Sequence, residues 1–246
     1  MVDQVKKLMK SYMPRNRIEI ERKYFCSAEA LGAVREALIS EQFMKHGPFV
    51  LDEAFAEKEQ TDIYFDTKDK ILLNKKCTLR IRQIKGNYVC TIKLPVKSES
   101  FGGNSPTARR EYEMEHTLTH ASNLDEIREL PGELKNFVLR RLGDTGVTEE
   151  IFSSLHPILK IVNAREKGIV KKINSSFICE ICLDKVKYIE PGKKEALDFQ
   201  VEVELKSDYL THVVLDRFTA ELEKLMSENF EVTEKSKLER GLELLI

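Results

Sequence analysis

The stretch Arg17-Ile18-Glu19-Ile20-Glu21-Arg22-Lys23-Tyr24-Phe25 alternates charged and apolar residues, and the prediction of the fold starts from it. Because successive side chains of a strand point to opposite faces, Glu19, Glu21 and Lys23 share one face. The two isoleucines fall on the other face. A half-buried strand of an ordinary sheet hides its apolar face and leaves its charged face in water.

The same charged spacing recurs at six later places in the chain. One such strand is typical of an edge or a solvent-facing side of an antiparallel sheet. Like charges two residues apart are mildly unfavourable when unpaired, so the repetition favours a closed barrel whose charged faces line a shared lumen. The recurring groups are Arg80 and Arg82; Val89, Thr91 and Lys93; Arg109, Glu111, Glu113 and Glu115; Arg165 and Lys167; Glu180, Cys182 and Asp184; and Glu202 and Glu204.

A lumen of this kind restricts the ligand it can hold. Charges kept away from bulk water are costly unless they are paired or bound to a metal. A polyphosphate with a divalent cation suits both kinds of wall, because basic side chains bind phosphate oxygens and carboxylates bind the metal.

Composition narrows the class of protein. The chain has 246 residues, with 40 basic and 41 acidic side chains and a formal net charge of −1. This balance argues against a general nucleic-acid or membrane-binding surface. No apolar run is long enough to span a bilayer and no signal-peptide pattern is present, so a cytoplasmic location is expected. The length suits a single tunnel domain over residues 1–246.

The cysteines and histidines indicate neither a disulfide framework nor a zinc site. Five cysteines are scattered along the chain, and Cys179-Glu180-Ile181-Cys182 has no second C-x-x-C partner. We therefore expect reduced packing residues. The five histidines show no metal-ligand spacing.

Periodicity and turn residues predict an α+β architecture, an eight-stranded antiparallel barrel with surrounding helices. Residues 1–14 are expected to form a helical extension, 97–108 a loop insertion and 120–156 a helical insertion. Strands are predicted at about 16–26, 52–66, 77–85, 87–96, 108–118, 157–171, 174–189 and 196–206. Helices are predicted from Ser27 to about Gln42, at about 122–130, 132–143 and 209–229, and after Lys237, with a further helical turn from Thr67 to Leu73.

These residues resemble a known family. Ile18-Glu19-Ile20-Glu21-Arg22-Lys23 is similar to the E-x-E-x-K signature of the CYTH superfamily, the triphosphate tunnel metalloenzymes. Six further groups follow in the family's order, so the resemblance spans about residues 16 to 240. They are Leu79-Arg80-Ile81-Arg82, Thr91-Ile92-Lys93, Arg109-Arg110-Glu111-Tyr112-Glu113, Leu183-Asp184, Val201-Glu202-Val203-Glu204 and Lys235-Ser236-Lys237.

The resemblance implies a role for each matching residue. It implies an eight-stranded tunnel that uses Mg²⁺ or Mn²⁺, with Glu19, Glu21 and Glu204 in catalysis. One departure is Asn163, where relatives often carry a basic residue, and Lys167 on the same face is expected to compensate. The metal ligands implied are Glu19, Glu21, Glu113, Asp184, Glu202 and Glu204. The substrate-binding residues are Lys23, Arg80, Arg82, Lys93, Arg165, Lys167 and Lys237.

Several activities occur in this family. We expect hydrolysis of inorganic tripolyphosphate, because the chain has no tryptophan and no evident aromatic pair for a base or a thiazole. Thiamine-triphosphatase and nucleoside-triphosphatase activities are alternatives, as are adenylate cyclase, RNA 5′-triphosphatase and a non-catalytic polyphosphate-binding module. The expected partner is a small triphosphate molecule, and neither a membrane nor a nucleic acid. The oligomeric state is left open.

Overall fold

Eight antiparallel strands close into a barrel in the computed structural model, as the alternating charges predict. The structure describes residues 15–40, 48–84, 87–96, 107–117, 130, 132–190, 195–206, 212–226 and 229–246. The strands are β1 (Arg15–Cys26), β2 (Phe49–Asp66), β3 (Thr78–Ile84), β4 (Asn87–Pro95), β5 (Thr107–Thr117), β6 (His156–Lys172), β7 (Ile178–Ile189), β8 (Glu195–Leu205) and β9 (Phe230–Thr233). The helices in these ranges are α1 (Ala28–Ile39), α2 (Ile71–Asn74), α3 (Gly132–Gly143), α4 (Glu149–Ser154), α5 (His212–Met226) and α6 (Lys237–Leu244).

Strand β1 closes the barrel. Around the barrel, the order is β1, β5, β4, β3, β2, β6, β7 and β8, and β8 pairs with β1 again. The first half of β1 pairs with β5, from Arg15 to Glu21, and its second half pairs with β8, from Glu21 to Cys26. The short β9 continues the β5 edge alongside residues 23–26. The signature strand therefore holds both sides of the sheet together.

Two helical layers cover the outer face of the barrel. Helices α1 and α5 pack over β1, β7 and β8, where Phe218 and Val34 contact the apolar cluster that includes Ile20 and Val203. Helices α3 and α4 pack over β3 to β5, where Phe137 joins a second cluster. Burial of this outer face is the hydrophobic driving force for the fold, and it leaves the inner face to polar residues.

Helix α6 closes one end of the lumen. The inward faces of β6 and β7 turn apolar at this end, and Leu159 and Tyr188 form a cluster with Leu238 of α6. Gly241 of α6 lies so close that an added Cβ would be 2.5 Å from Tyr188 Cδ1. A Ser236 cap begins the helix and accepts a hydrogen bond from the backbone N–H of Glu239, whose carboxylate binds back to Ser236. The barrel interior is thus plugged at the α6 end.

Most predicted elements are confirmed, with shifted bounds. Strand β7 begins at Ile178 instead of 174, because residues before it form a turn with Asn174 in the left-handed region at φ 57°. The turn after β2 uses Asp66 as well as Thr67, since Asp66 accepts hydrogen bonds from the backbone of Leu72 and Leu73. Strand β9 and helix α4 were not predicted.

Some predictions fall on residues outside the described ranges. These are the helical extension at 1–14, residues 97–106 of the loop insertion, most of the helix at 122–130 and the first helix beyond Ser40. In the described part of the chain, no helix is both long and apolar enough to cross a membrane.

Candidate functional site

The lumen of the barrel holds a polar cavity of about 310 Å³. Nine basic and eight acidic side chains line it among the described residues. The basic ones are Lys23, Arg80, Arg82, Lys93, Arg109, Arg165, Lys167, Lys206 and Lys237, and the acidic ones are Glu19, Glu21, Glu111, Glu113, Glu115, Glu180, Glu202 and Glu204.

Four charged groups form a network where α6 meets β6, β7 and β8. Arg165 donates two hydrogen bonds to Asp184, of 2.7 and 2.6 Å, and a third of 2.5 Å to Glu202. Lys237 of α6 lies 2.9 Å from Asp184 and also donates to Glu202. Burial alone would raise the pKa of Asp184, but Arg165 and then Lys237 outweigh it and lower that pKa. Two cations and two anions therefore neutralise each other beside the plug.

A second group of charges lies on β1, β4 and β5. Lys93 donates to Glu19 at 2.5 Å and lies 3.5 Å from Glu111, while Glu21 lies 2.7 Å from Lys23. Burial and the neighbouring Glu21 raise the pKa of Glu19 to about 7, although Lys93 opposes the shift. Carboxylates are crowded here beyond what the lysines neutralise.

The opposite wall, on β2 and β3, carries more positive charge. Arg80 and Arg82 face the lumen, and both contact the buried carboxylate of Asp62. Arg80 also donates to the hydroxyl of Thr91 at 3.0 Å and lies 3.9 Å from Glu113. Two guanidinium groups therefore share one close carboxylate.

The lumen away from the plug carries two more ion pairs. Lys167 lies 2.5 Å from Glu180, and Lys206 lies 2.7 Å from Glu204. The side chain of Lys167 is 49% exposed, so this lysine belongs to the open part of the cavity. It does not fill the place of Asn163, which is buried nearer the plug.

The carboxylates suit a divalent metal in chemistry. Within the described ranges, no three Asp, Glu, His or Cys side chains already converge on one point. Glu21 and Glu204 are nevertheless direct partners across β1 and β8, and Glu19 lies on the same face of β1. Carboxylate oxygens are the ligands that Mg²⁺ and Mn²⁺ prefer, and a cation among them would offset the burial and the carboxylate repulsion that together raise the pKa of Glu19. The donor set fits such a metal after modest side-chain rearrangement.

The structure brings together all thirteen residues that the sequence singled out. Twelve of them line the cavity, and Asp184 lies directly behind Arg165 with no exposed surface. Cys182, expected to be a packing residue, faces the cavity, and all five cysteines are free thiols.

Sequence reasoning assigned no role to several charged residues of this site. The alternation rule placed Arg109, Glu111, Glu115 and Glu180 on charged faces, but it gave them no role. Asp62 had no charged residue two positions away to draw attention to it. Lys206 was also missed.

Comparison with protein families gives one match over nearly the whole chain. A family model described as the CYTH domain matches residues 17–241. No curated protein matches the chain.

Solved structures share the fold. A candidate adenylate cyclase from Bacillus halodurans is 23% identical with a TM-score of 0.58, and the match covers 92% of this chain and 97% of that one. A Pyrococcus horikoshii protein is 22% identical with a TM-score of 0.51, covering 92% and 98%. A candidate adenylyl cyclase from Hippeastrum, described as having a dominant triphosphatase activity, is 20% identical with a TM-score of 0.54, covering 89% and 93%. At these identities the likeness extends to the fold alone.

Proposed function

Because the chain belongs to the CYTH domain family, we propose that it is a divalent-metal-dependent hydrolase of a triphosphate compound, with inorganic tripolyphosphate as the substrate. The observation that carries the proposal is the cavity inside the barrel, in which basic and acidic side chains face each other across the lumen. A metal-bound phosphate chain suits both kinds of side chain, because its oxygens accept hydrogen bonds from the basic groups and its metal binds carboxylates.

The metal is assigned to the crowded acidic wall. Glu19, Glu21 and Glu204 would hold Mg²⁺ or Mn²⁺, which supplies charge neutralisation to the phosphate oxygens. Glu113, Asp184 and Glu202 remain predicted as further ligands. Of these, Asp184 has both oxygens engaged by Arg165 and Lys237, so its contribution would require that network to open.

The basic side chains are assigned to the phosphate chain. Arg80 and Arg82 carry fork-shaped donors that match two phosphate oxygens, while lysines supply point charges. These charges neutralise the negative charge that develops on the phosphoryl oxygens in the transition state. Lys23, Lys93, Arg165, Lys167 and Lys237 complete the proposed binding set.

Hydrolysis then needs a water molecule in line with the terminal phosphorus. We assign its orientation to a carboxylate of the Glu19, Glu21 and Glu204 set, which accepts a hydrogen bond from the water. Because α6 plugs one end of the lumen, substrate enters from the opposite end.

The residue types that line the cavity favour tripolyphosphate over a nucleotide or thiamine triphosphate as the substrate. Among the described lining residues, the one aromatic side chain is Tyr64, and it packs in the apolar cluster at the plugged end. A base or thiazole ring would lie at the opposite, open end, away from Tyr64.

A substrate panel tests the proposal. Purified protein is incubated with tripolyphosphate, thiamine triphosphate, ATP or 5′-triphosphate RNA, with Mg²⁺, Mn²⁺ or EDTA, and both phosphate and cyclic AMP are measured. We expect the highest kcat/KM for tripolyphosphate and none in EDTA. Glu204→Gln should lower kcat at least about 100-fold, whereas the exposed Glu221→Gln on α5 should not.

Other outcomes would reject the assignment. Cyclic AMP as the main product from ATP would identify a cyclase. Binding of tripolyphosphate without release of phosphate under either metal would identify a binding module. Full activity in folded Glu204→Gln would remove Glu204 from the catalytic set.

A further inference from the structure

Asp62 is a buried lumen carboxylate to which the proposed reaction gives no role. It lies on β2, with 1% of its surface exposed, and its Cα is paired with that of Arg82 on β3. Its oxygens accept two hydrogen bonds from Arg82, of 2.6 Å from Nε and 2.8 Å from Nη2. This two-bond geometry fixes the plane of the guanidinium group as well as its position.

Asp62 also contacts the second arginine of the same strand. Arg80 Nη1 lies 3.6 Å from Asp62 Oδ2. Burial alone would raise the pKa of Asp62, but Arg80 and then Arg82 outweigh it and lower the pKa to about 2. The carboxylate is therefore ionised at neutral pH.

Arg165, in the network beside the plug, differs from Arg80 and Arg82 in how fully nearby carboxylates neutralise its charge. Arg165 alone binds two carboxylates, Asp184 and Glu202, whereas Arg80 and Arg82 share Asp62 as their close carboxylate. Arg80 is 8% exposed, and no hydrogen bond from its Nε is found within the described ranges. A buried donor without an acceptor is costly, and here an anion in the lumen can supply the acceptor.

We propose that Asp62 is a positioning residue that holds Arg80 and Arg82 as one rigid pair of guanidinium groups, aimed at a single phosphoryl group of the substrate. The proposal rests on the triphosphatase function proposed above. Asp62 itself makes no contact with substrate, because both of its oxygens face the arginines. It lowers the net charge of the pair to about one, and it fixes the direction in which that charge points.

If Asp62 positions the two arginines, its loss should change substrate binding and catalytic rate in opposite directions, which a purely structural role for Asp62 does not predict. Asp62→Asn keeps the size of the side chain and removes its charge, so the arginine pair attracts a polyanion more strongly. The same change loosens the guanidinium planes, and misplaced catalytic groups lose rate. We expect the Kd for tripolyphosphate to fall about fivefold while kcat falls about 10- to 100-fold.

The experiment measures these two quantities separately. Isothermal titration with tripolyphosphate in EDTA gives Kd without turnover, and phosphate release with Mg²⁺ gives kcat and KM, both well below the melting temperature. Asp198→Asn is the matched control, because Asp198 is a buried inward carboxylate paired with Arg240 near the plug, away from Arg80 and Arg82. It should leave Kd and kcat within about twofold of the wild type.

Three results overturn the proposal: unchanged Kd and kcat in Asp62→Asn, a loss of affinity that parallels the loss of rate, or the same changes in Asp198→Asn. If Asp62→Asn does not fold, the variant Arg82→Lys tests the proposal in its place. It keeps the charge and loses the two parallel bonds, so kcat should fall about 10-fold or more with little change in Kd, and an unchanged kcat rejects positioning.

The proposed function can fail independently. Wild-type protein that binds tripolyphosphate but never hydrolyses it would refute the hydrolase assignment, and Asp62→Asn would still have to bind more tightly for the charge argument to stand. Wild-type protein that does not bind tripolyphosphate at all would refute both proposals.

Discussion

Replacing Glu19 by glutamine should make the metal-free protein more stable at alkaline pH while destroying its proposed activity. Glu19 is buried beside Glu21 and Glu111, and burial followed by the charge of Glu21 raises its pKa from 4.5 to about 7. Glutamine resembles the protonated form of this side chain. Lys93 keeps a carboxylate partner in the variant, because Glu111 lies 3.5 Å from it.

The direction in which wild-type stability changes with pH follows from how many protons the folded and unfolded states bind. Between the unfolded pKa of 4.5 and the folded pKa of about 7, the folded state holds more protons than the unfolded state, so wild-type stability falls as the pH rises through this range. Above it, the ionised Glu19 costs the fold about 3 kcal/mol, at roughly 1.4 kcal/mol for each unit of pKa difference. Glu19→Gln escapes this cost, so its advantage over the wild type should be small near pH 5 and greatest at about pH 8.5.

Urea unfolding in EDTA at a series of pH values measures the difference directly. The expected gain in the free energy of unfolding at alkaline pH is on the order of 3 kcal/mol, which corresponds to roughly 6–12 °C in melting temperature for a chain of this size. Glu221→Gln, at the exposed surface, controls for loss of a charge. Parallel wild-type and Glu19→Gln curves across the whole pH range would refute the inference that burial and the neighbouring carboxylates make the ionised form of Glu19 destabilising.

Three further changes test the plug and the ion network by chemical denaturation. Gly241→Ala would place a Cβ 2.5 Å from Tyr188 Cδ1, and the expected loss is about 1–3 kcal/mol; unchanged stability would mean that α6 does not sit in the lumen. Ser236→Ala removes the bond that the Ser236 hydroxyl accepts from the Glu239 N–H and the bond that it donates to the Glu239 carboxylate, and should cost about 1 kcal/mol, with Ser153→Ala on α4 as a comparison that should cost less. Asp184→Ala leaves Arg165 and Lys237 with Glu202 alone, so we expect a loss of about 3–5 kcal/mol, and a loss below about 1 kcal/mol would contradict the network.

The alternation of charge along single strands was enough to predict the barrel and most of the charged side chains that line its lumen. In β1, the period of two in residues 18–23 predicts which side chains share a face. It gives no pairing partner, because a partner depends on the register between strands. Arg165 binds Asp184 because the two are opposite each other in the pairing of β6 with β7, and no local pattern specifies that register.

The plug is a tertiary feature that the local sequence did not reveal. A short helix after Lys237 was predicted and confirmed, but its insertion into the lumen depends on the inward Leu159 and Tyr188, which lie far from it in sequence. Asp62 was missed for a related reason. It has no charged residue two positions away on the same face of its strand, and its importance comes from two arginines that the β2–β3 pairing brings beside it.

The most direct test of the central claim is a crystal structure of the protein grown with tripolyphosphate and Mn²⁺, with the manganese located by its anomalous diffraction. The account predicts manganese inside the barrel, bound by oxygens of Glu19, Glu21 and Glu204, and a phosphate chain whose oxygens contact Arg80 and Arg82. An empty lumen at saturating ligand, or manganese and phosphate bound on the outer surface, would contradict it.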